Sequence, residues 1–174
     1  MIEGRLDIRS NDALVTLNGL ENLIIIGDSW GGGLLFIESN PSLINLKGLD
    51  SLGTISGNVF IKSNVSLKSL EELGNLHDIA GEFYIESNAS LTDLQGLENL
   101  VSVGEGSAWF GLHITSNAAL TSLNGLDNLA TIEGALFISE NNSLTSLQGP
   151  DKIASIGGVL WIQDNDFSLI FSPF

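Results

Sequence analysis

FYIESNASLTDLQGLENLVSVG, residues 83–104, carries a frame that recurs along the whole chain. It reads apolar-x-Ile-x-Ser-Asn, then Leu-x-x-Leu-x-Gly-Leu-x-x-Leu-x-x-Val, then glycine. Phe83 and Ile85 alternate with Tyr84 and Glu86, the period of a strand with one face turned inward. After Asn88 the apolar residues come at every third position: Leu91, Leu94, Leu97, Leu100 and Val103. A period of three suits short strands and tight turns around a circumference. A helix, at 3.6 residues per turn, would drift off the core over that distance. Such a unit buries its apolar side only against its neighbours, so the frame predicts a solenoid.

Working outward from this copy, the marker asparagine returns at Asn11, Asn40, Asn64, Asn88, Asn117, Asn141 and Asn165. By subtraction the spacings are 29, 24, 24, 29, 24 and 24 residues, a three-repeat block duplicated. The inward pairs recur with it: Leu35/Ile37, Val59/Ile61, Leu112/Ile114, Leu136/Ile138 and Leu160/Ile162. At each corner the asparagine turns the chain, and its side chain can satisfy backbone groups that a buried turn leaves unpaired. Stacked copies would give an internal asparagine ladder. The two longer spacings hold glycine-rich inserts, residues 27–33 with Trp30 and residues 104–111 with Trp109. Repeat three has Glu72 where the others have glycine, and repeat six has Pro150 in place of leucine. Phe167, Phe171 and Phe174 are expected to cap the far end, in a segment of about residues 166–174. The N-terminus has no comparable cap, a hint of a longer array or of pairing with another copy. Residues 1–174 read as a single solenoid domain. Ile2-Glu3-Gly4-Arg5 also spells a protease-cleavable tag, but residues 2–8 lie in register with residues 132–138 and read as repeat sequence.

Composition narrows the function. Six Lys plus Arg against 21 Asp plus Glu give a formal charge of −15. So few cations cannot neutralise many phosphates, which excludes nucleic acid as partner and disfavours anionic lipid. There is no cysteine, so disulfides and thiolate chemistry are ruled out. No apolar run approaches the roughly 20 residues of a membrane helix, so direct insertion is not expected. No basic n-region followed by an apolar h-region opens the sequence.

The copies Ile-x-Ser-Asn-x-x-Leu-x-x-Leu-x-Gly-Leu-x-x-Leu-x-x-Ile-x-Gly, at 37–57 and 114–134, resemble the receptor L-domain family. These are leucine-rich-repeat-like right-handed β-helices of insulin- and growth-factor-receptor ectodomains and of many microbial surface proteins. The resemblance spans nearly the whole chain. It lacks the cysteine-rich modules of the animal receptors, and the copies are unusually regular. A bacterial or lower-eukaryote surface repeat protein is more similar. The resemblance implies an all-β, right-handed β-helix of about seven turns of 24–29 residues, ligand contact on the large sheet, and a place at the cell surface or outside the cell.

Function is expected at the positions the frame leaves free. Between the inward pairs, the first strands show Asp7, Phe36, Phe60, Tyr84, His113, Phe137 and Trp161 outward. At about 4.8 Å between strands these side chains stack into a column. Each aromatic offers roughly 150–250 Å², so the column makes a patch of several hundred Å², the range in which exposed apolar surface marks a contact site. The bland reading is cross-strand pairing that steadies the sheet. A second outward column, Arg9, Glu38, Lys62, Glu86, Thr115, Ser139 and Gln163, forms a polar rim. A column of acids, Glu21, Asp50, Glu98, Asp127 and Asp151, reads as caps on short helical turns rather than a calcium strip, since one acid per turn does not supply six to eight oxygens. His77 and His113, the only histidines, form no zinc pattern, and no serine sits in a nucleophile elbow. The sequons at Asn64, Asn88 and Asn141 use the corner residue itself and read as incidental.

The sequence thus reads as a non-catalytic protein-recognition module without cofactor. Its expected ligand face comprises Phe36, Phe60, Tyr84, His113, Phe137, Trp161, Glu38, Lys62 and Glu86, with Trp30 and Trp109 at the edge. A carbohydrate-binding or adhesion module, with a glycan on the same aromatics, and a self-associating array, with the aromatic face pairing two copies, are the alternatives.

Overall fold

A computed structural model describes residues 1–28, 32–104 and 111–166. Two parallel sheets run the length of these residues. The seven-stranded sheet takes one strand from each repeat: β1 (Arg5–Arg9), β3 (Leu34–Glu38), β5 (Val59–Lys62), β7 (Phe83–Glu86), β9 (Leu112–Thr115), β11 (Leu136–Ser139) and β13 (Leu160–Gln163). The six-stranded sheet takes a two-residue strand from each of the first six: β2 (Ile25–Ile26), β4 (Thr54–Ile55), β6 (Asp78–Ile79), β8 (Ser102–Val103), β10 (Thr131–Ile132) and β12 (Ser155–Ile156). Both sheets add strands in chain order and in strict register, so Phe36 pairs with Phe60 and Phe60 with Tyr84. The result is a solenoid-like β protein with a single apolar interior. Leu43, Leu46, Leu49, Leu52 and Ile55 are all fully buried, as are the equivalent residues of the next three repeats apart from a trace of exposure at Leu126. The every-third-residue pattern is therefore core through these four repeats, and only partly so in the first and sixth, where Leu14 and Leu20 are partly buried and Leu147 is exposed. Ile2 bridges Ile26, so the segment that also spells a tag occupies a repeat position.

The corners are held by a continuous hydrogen-bonded file of asparagines. Asn40, Asn64, Asn88, Asn117 and Asn141 are fully buried. Each donates its backbone N–H to the side-chain oxygen of the next: Asn40 to Asn64 Oδ1 at 3.1 Å, Asn64 to Asn88 Oδ1 at 3.1 Å, Asn88 to Asn117 Oδ1 at 3.0 Å. Each side-chain Nδ2 also donates to a strand carbonyl of the preceding repeat, as Asn64 does to Ile37 O and Asn88 to Ile61 O, both at 2.8 Å. Only a side chain with both a carbonyl and an NH₂ can serve the two neighbours at once. Because that NH₂ is committed and buried, the sequons at Asn64, Asn88 and Asn141 offer no accessible acceptor.

Two local features differ from the sequence expectation. The sharp change of direction falls one residue before the asparagine, where Ser10, Ser39, Ser63, Ser87, Ser116, Glu140 and Asp164 take φ of 53–59°. Left-handed backbone is uncommon outside glycine, and short polar side chains tolerate it best among the rest. The asparagine secures the corner that its predecessor makes. The acids also work in the opposite direction from helix caps. Glu21, Asp50, Glu98 and Asp127 accept the N–H of the glycine two residues earlier, at 2.8–2.9 Å. That glycine has positive φ, 118° at Gly48, and a Cβ there would collide with the carbonyl of Leu17 in the preceding repeat. Where Glu72 replaces it, the chain forms instead a 3₁₀ helix at Glu71–Leu73. The expected cap at residues 166–174 lies outside the described residues, apart from Asp166.

Replacing Asn64 by leucine strands the Asn40 N–H and the Ile37 carbonyl in the interior. At about 1–3 kcal/mol for each unpaired group, urea denaturation should show a loss of about 3 kcal/mol or more. Asn11 is exposed and its neighbours keep other partners. Asn11→Leu should therefore stay within about 0.5 kcal/mol, as surface changes usually do.

Candidate functional site

Alternation in the seven-stranded sheet turns Phe36, Phe60, Tyr84, His113, Phe137 and Trp161 outward, one per strand and in register. The first five form a ring stack. Centroids lie 4.5 Å apart for Phe36–Phe60, 5.2 Å for Phe60–Tyr84, 4.1 Å for Tyr84–His113 and 4.6 Å for His113–Phe137. The planes differ by only 8–16°, so each inner ring has a neighbour on both faces and presents its edge to solvent. These five are half-buried, whereas Trp161 is 49% exposed. The close interstrand spacing of a parallel sheet leaves room for little but stacking, which explains the geometry.

The flanks divide the strip in two. Around the first four strands the polar groups are already partnered. Arg9 Nε bonds Asp7 Oδ1 at 2.5 Å, and Arg9 approaches Glu38 at 3.9 Å. The guanidiniums of Arg5 and Arg9 lie 5.9 and 5.1 Å from the Phe36 centroid. Lys62 pairs with Glu86 at 2.7 Å while its ammonium sits 4.2 Å from the centre of Tyr84 and 5.4 Å from that of Phe60. Asn58 Nδ2 and the Tyr84 hydroxyl both donate to Glu82, at 3.2 and 3.3 Å. Past Tyr84 the rim becomes Thr115, Ser139 and Gln163, which carry no charge, and the inner flank becomes the small, buried Gly111 and Ala135. The strip holds Arg5, Arg9 and Lys62 against Asp7, Glu38, Glu82 and Glu86, so nearly all of the formal −15 resides on other faces.

Titration follows from these contacts. The hydrogen bond from Arg9 holds the Asp7 carboxyl below its usual range. Burial pushes Glu82 up. Burial, followed by the nearby Glu82 charge, pushes the Tyr84 phenol up to about 12.

The structure thus brings Phe36, Phe60, Tyr84, His113, Phe137, Trp161, Glu38, Lys62 and Glu86 onto one face; Trp30 and Trp109 lie outside the described residues. His77 is elsewhere, beside the six-stranded sheet, with Nε2 3.4 Å from the Thr54 hydroxyl. Among the residues not singled out by sequence are Glu82, which accepts from the Tyr84 hydroxyl, and Asn58, which bonds Glu82. They sit just before the strands, at positions whose residue type changes in every repeat, and only the alternation extended by one step would have found them.

Parallel β repeats with one aromatic face define the class, and the comparisons name the family. The Receptor L domain profile matches residues 53–153, and the chain belongs to the Receptor L domain family, a family of ligand-recognition modules. No curated protein and no solved structure matches it. No helix of the described residues is long and apolar enough to cross a membrane.

Tyr84 is the only tyrosine, so tyrosinate absorbance reads this one group. A folded-state pKa raised from about 10 toward 12 means stability that is full below pH 10 and declines as pH rises through 12. The folded protein should ionise its tyrosine near pH 12 and the guanidinium-unfolded chain near 10. Tyr84→Phe should flatten the loss of stability across that window.

Proposed function

We propose that this chain is a non-catalytic protein-recognition module acting at the cell surface or outside the cell, through the aromatic face of its seven-stranded sheet. In the same reading residues 1–174 form one right-handed solenoid of seven turns. The observation that carries it is the unbroken outward aromatic column in a member of the Receptor L domain family. Aromatic rings supply much contact area at small entropic cost, and rim charges select the partner. A protein ligand fits this face better than a sugar. A sugar stacks on exposed ring faces, whereas here the inner rings offer only edges, which suit aliphatic and aromatic side chains. The end of the strip nearest Phe137 and Trp161 is where a ligand gains most, because Thr115, Ser139 and Gln163 present no ion pair that would have to be broken.

Binding to an array of extracellular protein domains, beside a glycan array, tests this. The expected outcome is a protein signal that falls at least about tenfold in Phe137→Ser/Trp161→Ser, with the melting temperature little changed. A sugar-specific signal lost in the same variant would assign the face to a glycan. Protein binding untouched by the variant would remove the face from the proposal.

A further inference from the structure

Each repeat shows three sides: a strand of the large sheet, a strand of the small sheet, and the arc that runs from the corner asparagine to the small sheet. Neighbouring arcs are tied by backbone hydrogen bonds, and the tying is uneven. Two bonds cross between repeats one and two, Ile44 N–H to Val15 O and Leu17 N–H to Lys47 O. Two cross between repeats four and five, Leu94 N–H to Asn124 O and Thr121 N–H to Thr92 O. One joins repeats two and three, from Lys68, and one joins repeats five and six, from Leu123. None crosses between repeats three and four, from residues 65–76 to residues 89–100. We infer that this joint is a hinge, where the arc opens and the two halves of the array flex about the sheets that continue across it. This holds whatever the aromatic face binds.

The cause lies in the turn of repeat three. Glu72 stands where the frame has glycine, and Gly74 where it has the acid. The turn becomes the 3₁₀ helix Glu71–Leu73, and the Leu70 N–H makes no bond to Gln95 O of the kind that Leu94 makes to Asn124 O. Toward repeat two the exchange is made good, because Glu72 Oε2 accepts the Leu46 N–H at 3.2 Å. Toward repeat four only two exposed side-chain bonds cross the arc, Ser90 Oγ to Val65 O at 2.7 Å and Asn99 Nδ2 to Gly74 O at 2.6 Å. Leu67, Leu70, Leu91 and Leu94 are fully buried, so the closed joint is held by apolar contact. Such contact is non-directional and sets no fixed spacing. Segments with few backbone bonds between them open at the lowest free energy.

The other two sides are fastened at the same joint. On the large sheet Lys62 pairs with Glu86 at 2.7 Å, and Asn58 and Glu82 exchange two bonds, at 2.9 and 3.2 Å. On the small sheet the Ser102 hydroxyl donates to Asp78. The pivot therefore runs along the sheets and the gap faces the arc. The aromatic column crosses this pivot between Phe60 and Tyr84, where its rings stand furthest apart, at 5.2 Å. Flexing the joint changes the curvature of that face. The hinge also falls where the first three-repeat block ends and the second begins, between Asn64 and Asn88.

Hydrogen exchange of the full 174-residue chain, read by mass spectrometry, tests this. Residues 65–76 and 89–100 should exchange together, and faster than residues 41–52 and 118–129. Glu72→Gly/Gly74→Asp restores the order of glycine and acid found in repeat five and should slow both stretches about tenfold. Lys68 and Thr92 hold the same place in successive repeats, and the chain has no cysteine of its own. An oxidised Lys68→Cys/Thr92→Cys pair should therefore close the joint and slow the same two stretches, reversibly on reduction. Oxidised Thr92→Cys/Thr121→Cys, across a joint already tied, should leave residues 65–76 unchanged. Equal exchange in all four stretches overturns the inference, as does exchange that neither the restored turn nor the first disulfide slows. Slowing confined to residues 65–76 also overturns it, since one loose turn is not a hinge between two repeats.

Discussion

Everything in this structure depends on the asparagine file. A parallel stack of short strands leaves unsaturated corner groups in every repeat, and here those groups are enclosed with no solvent to meet them. Five asparagines with no exposure answer that demand, each serving the repeat before it and the repeat after it. The file does more than satisfy polar groups. A slip of one repeat by a single residue would put a different side chain, Ser63 or Val65 in the case of Asn64, where Oδ1 must be, so the file fixes the register of the whole array. That register is what places six outward residues in one column.

The column shows how a sheet can hold aromatic surface without leaving it loose. Ring faces are spent on one another, at centroid distances of 4.1–5.2 Å, and cations close over the early members. The stacked rings reinforce the sheet, and the contact face proposed above would draw on the same rings. The column's early part is internally neutralised, and the rim residues of its late part, Thr115, Ser139 and Gln163, are uncharged. A face with little net charge on a chain that carries −15, and with an uncharged rim at one end, is the pattern expected where a partner is met without breaking ion pairs.

How much of this was legible in the sequence follows from what repeats. The period-two strands, the period-three core and the corner asparagine recur in nearly every copy, and a feature that recurs is read from several copies at once. The left-handed corner was missed because it is occupied by Ser, Glu or Asp, residues whose side chains give no sign of backbone sign. An acid beside a turn can serve the amides on either side of it, so the sequence alone suggests a helix cap, and only the geometry shows the acid reaching back to the glycine amide. Ring stacking was predictable from spacing alone, yet its consequence, edges outward instead of faces, needed the interplanar angles. Glu72 was visible as an exception, but a 3₁₀ turn in its place is a tertiary outcome: without glycine the tight bend is strained, and the chain takes the nearest alternative.

The one-way file of amides has a consequence for how such a chain can change. Each repeat asks of its neighbours only that they point the same way and bring the same corner, so a block of repeats is a self-contained cassette. Asn11, Asn88 and Asn165 are spaced 77 residues apart, three repeats each time, with a long repeat at the same place in both blocks. Copying or losing such a block lengthens or shortens the ruler without disturbing a single buried hydrogen bond. Length is thus the property of this protein that sequence drift can alter most freely, and corner chemistry the one it can alter least.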